Sequence, residues 1–414
     1  MTATFMRSEG LRALSHRGYR IYFYGMLARG TGAWMQLVAI PWLAVELGAS
    51  AVELGIVTAC LFLSTFLIAP FGGVLADRVN RGAVLMVTQL GAGVHAAALF
   101  GLTATGLIEI PMLAVFALLF GLLVAVELPV RQAFLTEFVP PEEITSAVSL
   151  HATAWNLTRF VGPAVAGLLI ATLGVAACFA VSAISALGVI WSLVVLVRFR
   201  HHRRTRITQA AGILRSLADG VAFAAREPRV RWAMAILAAG GILGIQSFQT
   251  LAPLYVADTL EFDGGAFGAF MSAWGAGALA AAFVVTLLAR GDRRVWLIAG
   301  LSALAVLLGG LALTTWAPAA YVMATCLGFA QIAVVQNALV MVQYATTDEY
   351  RGRLMGLYTT VFQGTIPFGA VLAGGLAGMV GVSGAMLVGA IGLAVVAILA
   401  AYAAPRLDAS ASSE

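Results

Sequence analysis

Glu127 and Arg131 stand four residues apart at the inner end of a long apolar run. On a helix that spacing puts both on one face. The pair has two readings. It braces the helix as an ion pair, or its carboxylate exchanges a proton. Water reaching Glu127 in one state, and arginine facing it in another, would change its proton affinity through desolvation and neighbouring charge. Arg29 and Arg159 also fall deep within apolar runs. A guanidinium in such a place is costly unless it meets protein, water or a bound polar or anionic group. Each therefore makes a structural salt bridge, contacts a bound anionic or polar group, or supports proton coupling. Asp77, His95 and His151 are the remaining candidates for proton coupling. Asp77 suits a latch as well, and the two histidines qualify because imidazole changes charge near neutral pH.

Neutral polar residues lie in the same apolar runs. Gln36, Asn156, Gln246, Gln331, Gln336, Asn337 and Gln363, with Arg29 and Arg159, are candidates to line a cavity. Their alternative role is hydrogen bonding between helices. Met35, Phe62, Trp155, Phe248, Phe329 and Phe362 would supply an apolar wall.

Catalytic patterns are missing. The sequence holds no Gly-x-x-x-x-Gly-Lys-Ser/Thr loop and no lysine at all, which argues against direct ATP drive. It has no Gly-x-Ser-x-Gly or His-Glu-x-x-His run and no metal-ligand or disulfide spacing. An enzyme is not expected, nor is a cofactor or metal; a proton gradient is the expected energy source.

The elements that must position these groups are membrane helices. Hydrophobic residues make up 61% of the chain and charged residues 10%, where soluble domains carry roughly 25% charged. Many apolar runs exceed the roughly 18 residues that mark a spanning helix. A β-barrel is excluded by the length of the runs and their lack of polar alternation. The net charge of +5 comes from arginines dispersed among turns, without the aromatic-interleaved groove of a nucleic-acid binder. Cys60, Cys178 and Cys326 read as small buried hydrophobes. The N-terminus lacks a cleavable signal pattern, so the first apolar run is expected to stay as a helix.

Helices are predicted over 19–47, 52–76, 83–106, 110–130, 145–172 and 175–197, then 230–256, 267–289, 295–316, 318–344, 354–379 and 382–403. The expected fold is all-α, with twelve transmembrane helices in two six-helix bundles. Residues 1–197 form the first bundle and 230–403 the second. Residues 198–229 form a basic cytoplasmic linker, with helical periodicity over 209–225 that suits an amphipathic helix, and 404–414 form a cytoplasmic tail. Trp34, Trp42, Trp191, Trp232 and Trp316 lie near predicted ends or interfaces. Apart from Arg29 and Arg159, every arginine falls on a tail or turn of one side. That asymmetry places both termini in the cytoplasm.

Two charged turns repeat between the halves. Gly73, Asp77, Arg78 and Arg81 stand between the second and third predicted helices; Asp292 and Arg293 stand at the matching turn of the second half. Charged turns of this kind suit latches that hold two helices in one state. The turns at 141–143 and 348–351 match in the same way, and the pattern agrees with two bundles about a central path.

The run from Gly73 to Arg81 resembles the Gly-x-x-x-Asp-Arg-x-x-Arg loop of the major facilitator superfamily. Asn80 and Gly82 depart from its fullest form. Glu127 to Phe134 with Val139-Pro140, Asn156 to Gly167, and Asp348 to Arg353 are similar to the fourth helix, the fifth helix and the turn before the eleventh in its bacterial enterobactin-type exporter branch. Tyr350 stands where that branch usually has leucine. Gly162-Pro163 resembles the antiporter motif of drug and metabolite exporters. With Gly167 it would bend a helix and seal it in one state. These marks span both halves.

The resemblance implies proton-coupled, alternating-access export of small molecules, a siderophore or an amphipathic drug, across the bacterial inner membrane. The expected partners are an amphipathic or anionic substrate, protons and membrane lipid, with no nucleic acid, and the expected unit is a monomer. Nutrient uptake is one alternative, since scaffold does not dictate direction. A membrane receptor or assembly protein that changes state without transport is another.

Overall fold

The computed structural model describes residues 9–68, 71, 79–196, 213–288, 292–346 and 350–403. After a short 3-10 turn at Glu9–Ser15 come α1 (Arg17–Glu46), α2 (Ala51–Ile68), α3 (Arg81–Ala104), α4 (Ile110–Leu135), α5 (Ile144–Leu173) and α6 (Ala176–Leu196). The linker holds α7 (Ile213–Arg226). Then follow α8 (Pro228–Thr259), α9 (Gly264–Leu288), α10 (Arg293–Leu313), α11 (Ala317–Tyr344) and α12 (Arg351–Ala403). The described residues contain no strand.

Local chemistry sets several boundaries. Asn80 caps α3 by accepting from the Ala83 amide at 3.2 Å. Asp292 caps α10 by accepting from the Arg294 amide at 2.9 Å. Prolines open α4, α8 and α11, where the missing amide proton costs nothing. Gly174, at φ +82°, ends α5, and Gly381, at φ +77°, breaks α12 into arms 351–380 and 382–403. Both need the positive φ that glycine tolerates.

Ten of these helical segments are long and apolar enough to cross a bilayer, counting the whole of α12 once. α1 is not among them; it carries Arg17, Arg20, Arg29 and Gln36. The outer surface is apolar, with Val94, Leu173, Val306 and Ile398 largely exposed. Such a surface belongs in lipid, where polar groups rather than apolar ones must turn inward.

Within the first half α1 packs on α5 and α6, α2 on α4, and α3 on α4 and α6. Within the second, α9 and α10 pack on α11, and α8 and α10 on α12. Two seams join the halves: α2 against α12 and α5 against α9. Lipid offers no hydrophobic drive between helices, so close backbone contact must hold these seams. A Cβ on Gly55 would stand 2.8 Å from the Ala370 carbonyl oxygen, and one on Gly268 would collide with Gly167. Both contacts lie toward the arginine-free end, within about two helical turns of the turns 47–50, 174–175 and 260–263.

Several expectations need correction. The turn after α4 begins past Leu135, not at Arg131, because the helix carries Pro129 internally and continues. α8 is not uniform: its backbone is π-helical at Gly240–Ile245 and Tyr255–Thr259. Cys326 is exposed on the outer face of α11 rather than buried. Trp191 and Trp316 are exposed as interfacial residues would be, but Trp42 and Trp232 are buried, since each packs into the interior. Gly73, Asp77 and Arg78 lie outside the described residues, as do most of the linker before α7 and the tail 404–414.

Candidate functional site

A cavity of about 280 Å³ lies where α1, α2, α4 and α5 meet α8, α9, α11 and α12. Its polar groups start with Glu127 on α4. Oε1 accepts from Arg131 Nη1 at 3.0 Å and Oε2 from Arg29 Nη2 at 3.2 Å. The Gln89 side chain lies beside the same carboxylate. All three ionic side chains are buried. One carboxylate thus ties α1 to α4 and holds two guanidiniums. The local frame is fixed by Tyr22, whose hydroxyl donates to the Arg131 carbonyl oxygen at 3.0 Å. Arg131 also sits 4.3 Å over the Trp155 ring.

Across the cavity Arg159 lies 4.2 Å over the Trp274 ring and 5.5 Å over Trp34. No carboxylate pairs with it among the described residues. The second half contributes neutral amides. Gln331 accepts from Trp274 Nε1 at 3.0 Å, while Gln246, Gln249 and Gln363 reach the cavity from α8 and α12. Gln246 follows directly on the first π-helical segment, and such segments commonly mark sites where a helix is re-aimed. Phe62, Phe120 and Phe362 complete the wall.

The cavity therefore brings together Arg29, Glu127, Arg159, Gln246, Gln331 and Gln363 of the predicted set. It does not take the other four. Gln36 faces α6 and donates to the Ser182 hydroxyl at 2.6 Å. Asn337 accepts from Arg293 at 3.1 Å, far along α11. Asn156 and Gln336 are half-buried away from the lining. His151 is buried on α5 outside the lining, with Nδ1 unpartnered among the described residues. Met35, Phe248 and Phe329 pack in the helix interior instead of the wall. Gln89, Gln249 and Trp274 were missed; all are polar or aromatic residues in apolar runs, which is the signal that singled out the others.

At the charged turns, Arg81 Nη1 meets Glu137 Oε1 at 3.3 Å. Asp292 pairs with Arg294 at 2.7 Å, and Arg293 turns instead to Asn337. The hydrogen bonds from Arg294 hold the Asp292 carboxyl below its ordinary value. In α5, a Cβ on Gly162 would stand 2.5 Å from Trp34 Cβ. Gly162 therefore sets the α1–α5 contact, and Gly167 the α5–α9 seam. Pro163 is buried inside the helix.

An all-helical body with a charged and aromatic cavity between two sets of membrane helices defines a multi-pass membrane transporter of the major facilitator type. The family model for transmembrane secretion effectors matches residues 8–414, and the chain belongs to that family. Members are transporters and not enzymes. The chain is 25% identical to the multidrug efflux pump Tap of Mycolicibacterium fortuitum over 94% of its length and 95% of that protein. It is 34% identical to the staphyloferrin A transporter of Staphylococcus aureus over 141 residues, covering 34% of this chain and 36% of the relative. A bacterial homologue of the lysosomal transporter Spinster, inward-facing and unoccupied, superposes with a TM-score of 0.71 at 11% identity, covering 95% of this chain and 96% of the other. A peptide-bound POT family transporter gives 0.73 at 11%, over 94% and 96%.

Proposed function

We propose that this protein exports small amphipathic or anionic molecules from the bacterial cytoplasm by alternating access, in exchange for protons. The observation that carries the reading is the cavity between the two halves, which places the buried Arg29–Glu127–Arg131 cluster beside an aromatic wall. In this account twelve spans form two six-helix bundles, 1–197 and 230–403, with 198–229 as the cytoplasmic linker. α1 is the first span and the two arms of α12 are the last two. The arginine-rich turns face the cytoplasm, both termini with them, and one chain is the working unit. Glycine seams at α2–α12 and α5–α9 seal the outward side in the described state.

Glu127 is the proton carrier. Tilting the halves opens the cavity beside the Arg29–Glu127 contact and admits water to the carboxylate, which changes its proton affinity. Arg81 and the neighbouring Gly73, Asp77 and Arg78, with Asp292 and Arg293 opposite, latch the inner side. Gly162, Pro163 and Gly167 give α5 its close contacts on both α1 and α9. The efflux relative matched over nearly the whole chain supports the outward direction. A siderophore and an amphipathic drug both fit the cargo class.

Proteoliposomes test the reading. An imposed proton gradient should accelerate flux of a panel of anionic siderophore mimics and amphipathic dyes. The acceleration should vanish with an ionophore and in Glu127→Gln. Flux that ignores reversal of the gradient contradicts proton coupling, and no flux across the panel contradicts export.

A further inference from the structure

Arg159 is the unbalanced charge of the cavity. Three guanidiniums face it, those of Arg29, Arg131 and Arg159, and Glu127 is the single acid among the described lining residues. Glu127 is already committed to Arg29 and Arg131, at 3.2 and 3.0 Å. Arg159 makes no hydrogen bond or ion pair among the described residues, and its Nε is buried without an acceptor. Trp274 and Trp34 lie against its guanidinium at 4.2 and 5.5 Å. Contact with ring faces stabilises the cation but satisfies none of its N–H donors. The donor edge of the guanidinium remains for a planar acceptor, and a carboxylate matches that fork with two parallel bonds.

The second half reinforces the sign. Its lining residues are Gln246, Gln249, Gln331, Gln363 and Thr365 with rings and aliphatic side chains, and none is acidic. A cationic ligand would therefore find no free carboxylate and would meet a surplus of positive charge. A planar anion with an attached ring system would find an unpaired guanidinium and flanking indoles.

Resting on the transport reading above, we infer that the cargo site selects organic anions: a carboxylate, or an oxyanion of like geometry, held by Arg159, with its aromatic body against Trp34 and Trp274. Arg159 thus sets substrate charge, while Glu127 stays with its own two arginines.

Three isosteres test this in nanodiscs of zwitterionic lipid, where no anionic headgroup competes for the arginine: 2-naphthoate, 2-naphthylmethanol and 2-naphthylmethylammonium. Saturable quenching of tryptophan fluorescence reads binding directly. A charged, buried hydrogen-bonded contact predicts that naphthoate binds about tenfold or more tightly than the alcohol, with the ammonium weakest. In Arg159→Gln the preference for naphthoate over the alcohol should fall to about twofold or less, and Arg159→Lys should keep part of it. Equal or tighter binding of the ammonium by the unaltered protein overturns the inference, and so does a lack of saturable naphthoate binding. A preference that survives Arg159→Gln overturns it too. The two readings separate cleanly. Anion-selective binding without flux removes export and leaves the site; flux without anion preference does the reverse.

Discussion

Arg29 and Glu127 are 98 positions apart in the chain and 3.2 Å apart in the structure. This contact ties α1 to α4 through a carboxylate already held by Arg131 at 3.0 Å. Two cations and one anion share a site from which water is largely excluded. Removing the anion leaves two buried guanidiniums repelling each other; removing one cation leaves a balanced pair.

Glu127→Gln should therefore be the most damaging single change at the cluster. Loss of a partner in a buried ion pair costs about 3–5 kcal/mol. Arg29→Gln should cost less, since Arg131 still neutralises the carboxylate. Thermal unfolding of both variants and of the double variant forms a cycle, with an expected coupling of about 1–3 kcal/mol. Additive shifts would mean that the two groups do not interact in the working protein.

The α5–α9 seam predicts a shift of state. A Cβ on Gly268 would collide with the Gly167 backbone. Gly268→Val should hold the arginine-free end apart, at a cost of about 1–3 kcal/mol if the seam is forced to stay closed. Ile170→Cys, a buried position beside that seam, reports it in a background where Cys60, Cys178 and Cys326 are alanine. Impermeant thiol reagent should label Ile170→Cys faster once Gly268→Val is added. Unchanged labelling would show that the seam does not depend on backbone contact.

At the tip of α10, Asp292 has both a capping and an ionic role. Its carboxyl is held below the usual range by Arg294. A depressed value contributes stability above the unfolded pKa, and that contribution is lost as pH falls through the folded value, below about 4. The side chain is 43% exposed, so the ionic part is small. Asp292→Asn keeps the cap and should lower the melting temperature only slightly at neutral pH, with the difference closing near pH 3. Asp292→Ala loses the cap as well and should cost about 1 kcal/mol. Equal effects of the two substitutions would contradict the capping role.

The linker helix should be anchored through one aromatic pair. Phe223 of α7 stacks on Tyr350 at 4.8 Å, and a Cβ on Gly220 would stand 3.2 Å from the Arg353 carbonyl oxygen. Phe223→Ala should raise amide hydrogen exchange across 213–226 about tenfold, the loss of roughly 1.4 kcal/mol of local protection. Exchange unaltered in this segment would mean that α7 is held elsewhere.

Much of the helix pattern was legible because apolar runs and glycines mark it directly. The break between α5 and α6, where almost nothing polar intervenes, falls at Gly174 as the predicted boundary at 172–175 requires. The break at Gly381 inside α12 likewise falls between the runs predicted to end at 379 and begin at 382. The end of α4 was misread because Arg131 looks like a turn residue, yet its charge is satisfied one turn back by Glu127. The π-helical segments of α8 left no mark that periodicity could distinguish from an ordinary helix.

The site was legible in kind but not in pairing. Deep arginines announce that partners must exist. Which partner depends on helix packing that no local spacing encodes: a carboxylate on α4 for Arg29, and indoles on α1 and α9 for Arg159. Gln36 and Asn337 illustrate the same limit. Each is a buried amide in an apolar run, and each serves a helix contact rather than the cavity.

Distances between spin labels at the two ends of the protein test alternation most directly. One pair, at Thr172 and Phe262, spans the arginine-free end; the other, at Glu142 and Val295, spans the arginine-rich end. In nanodiscs at high and low pH, the account predicts two populations with opposite changes: the outer pair lengthens as the inner pair shortens, and the balance moves with pH. A single distance at each end, unmoved by pH and by added cargo, would contradict it.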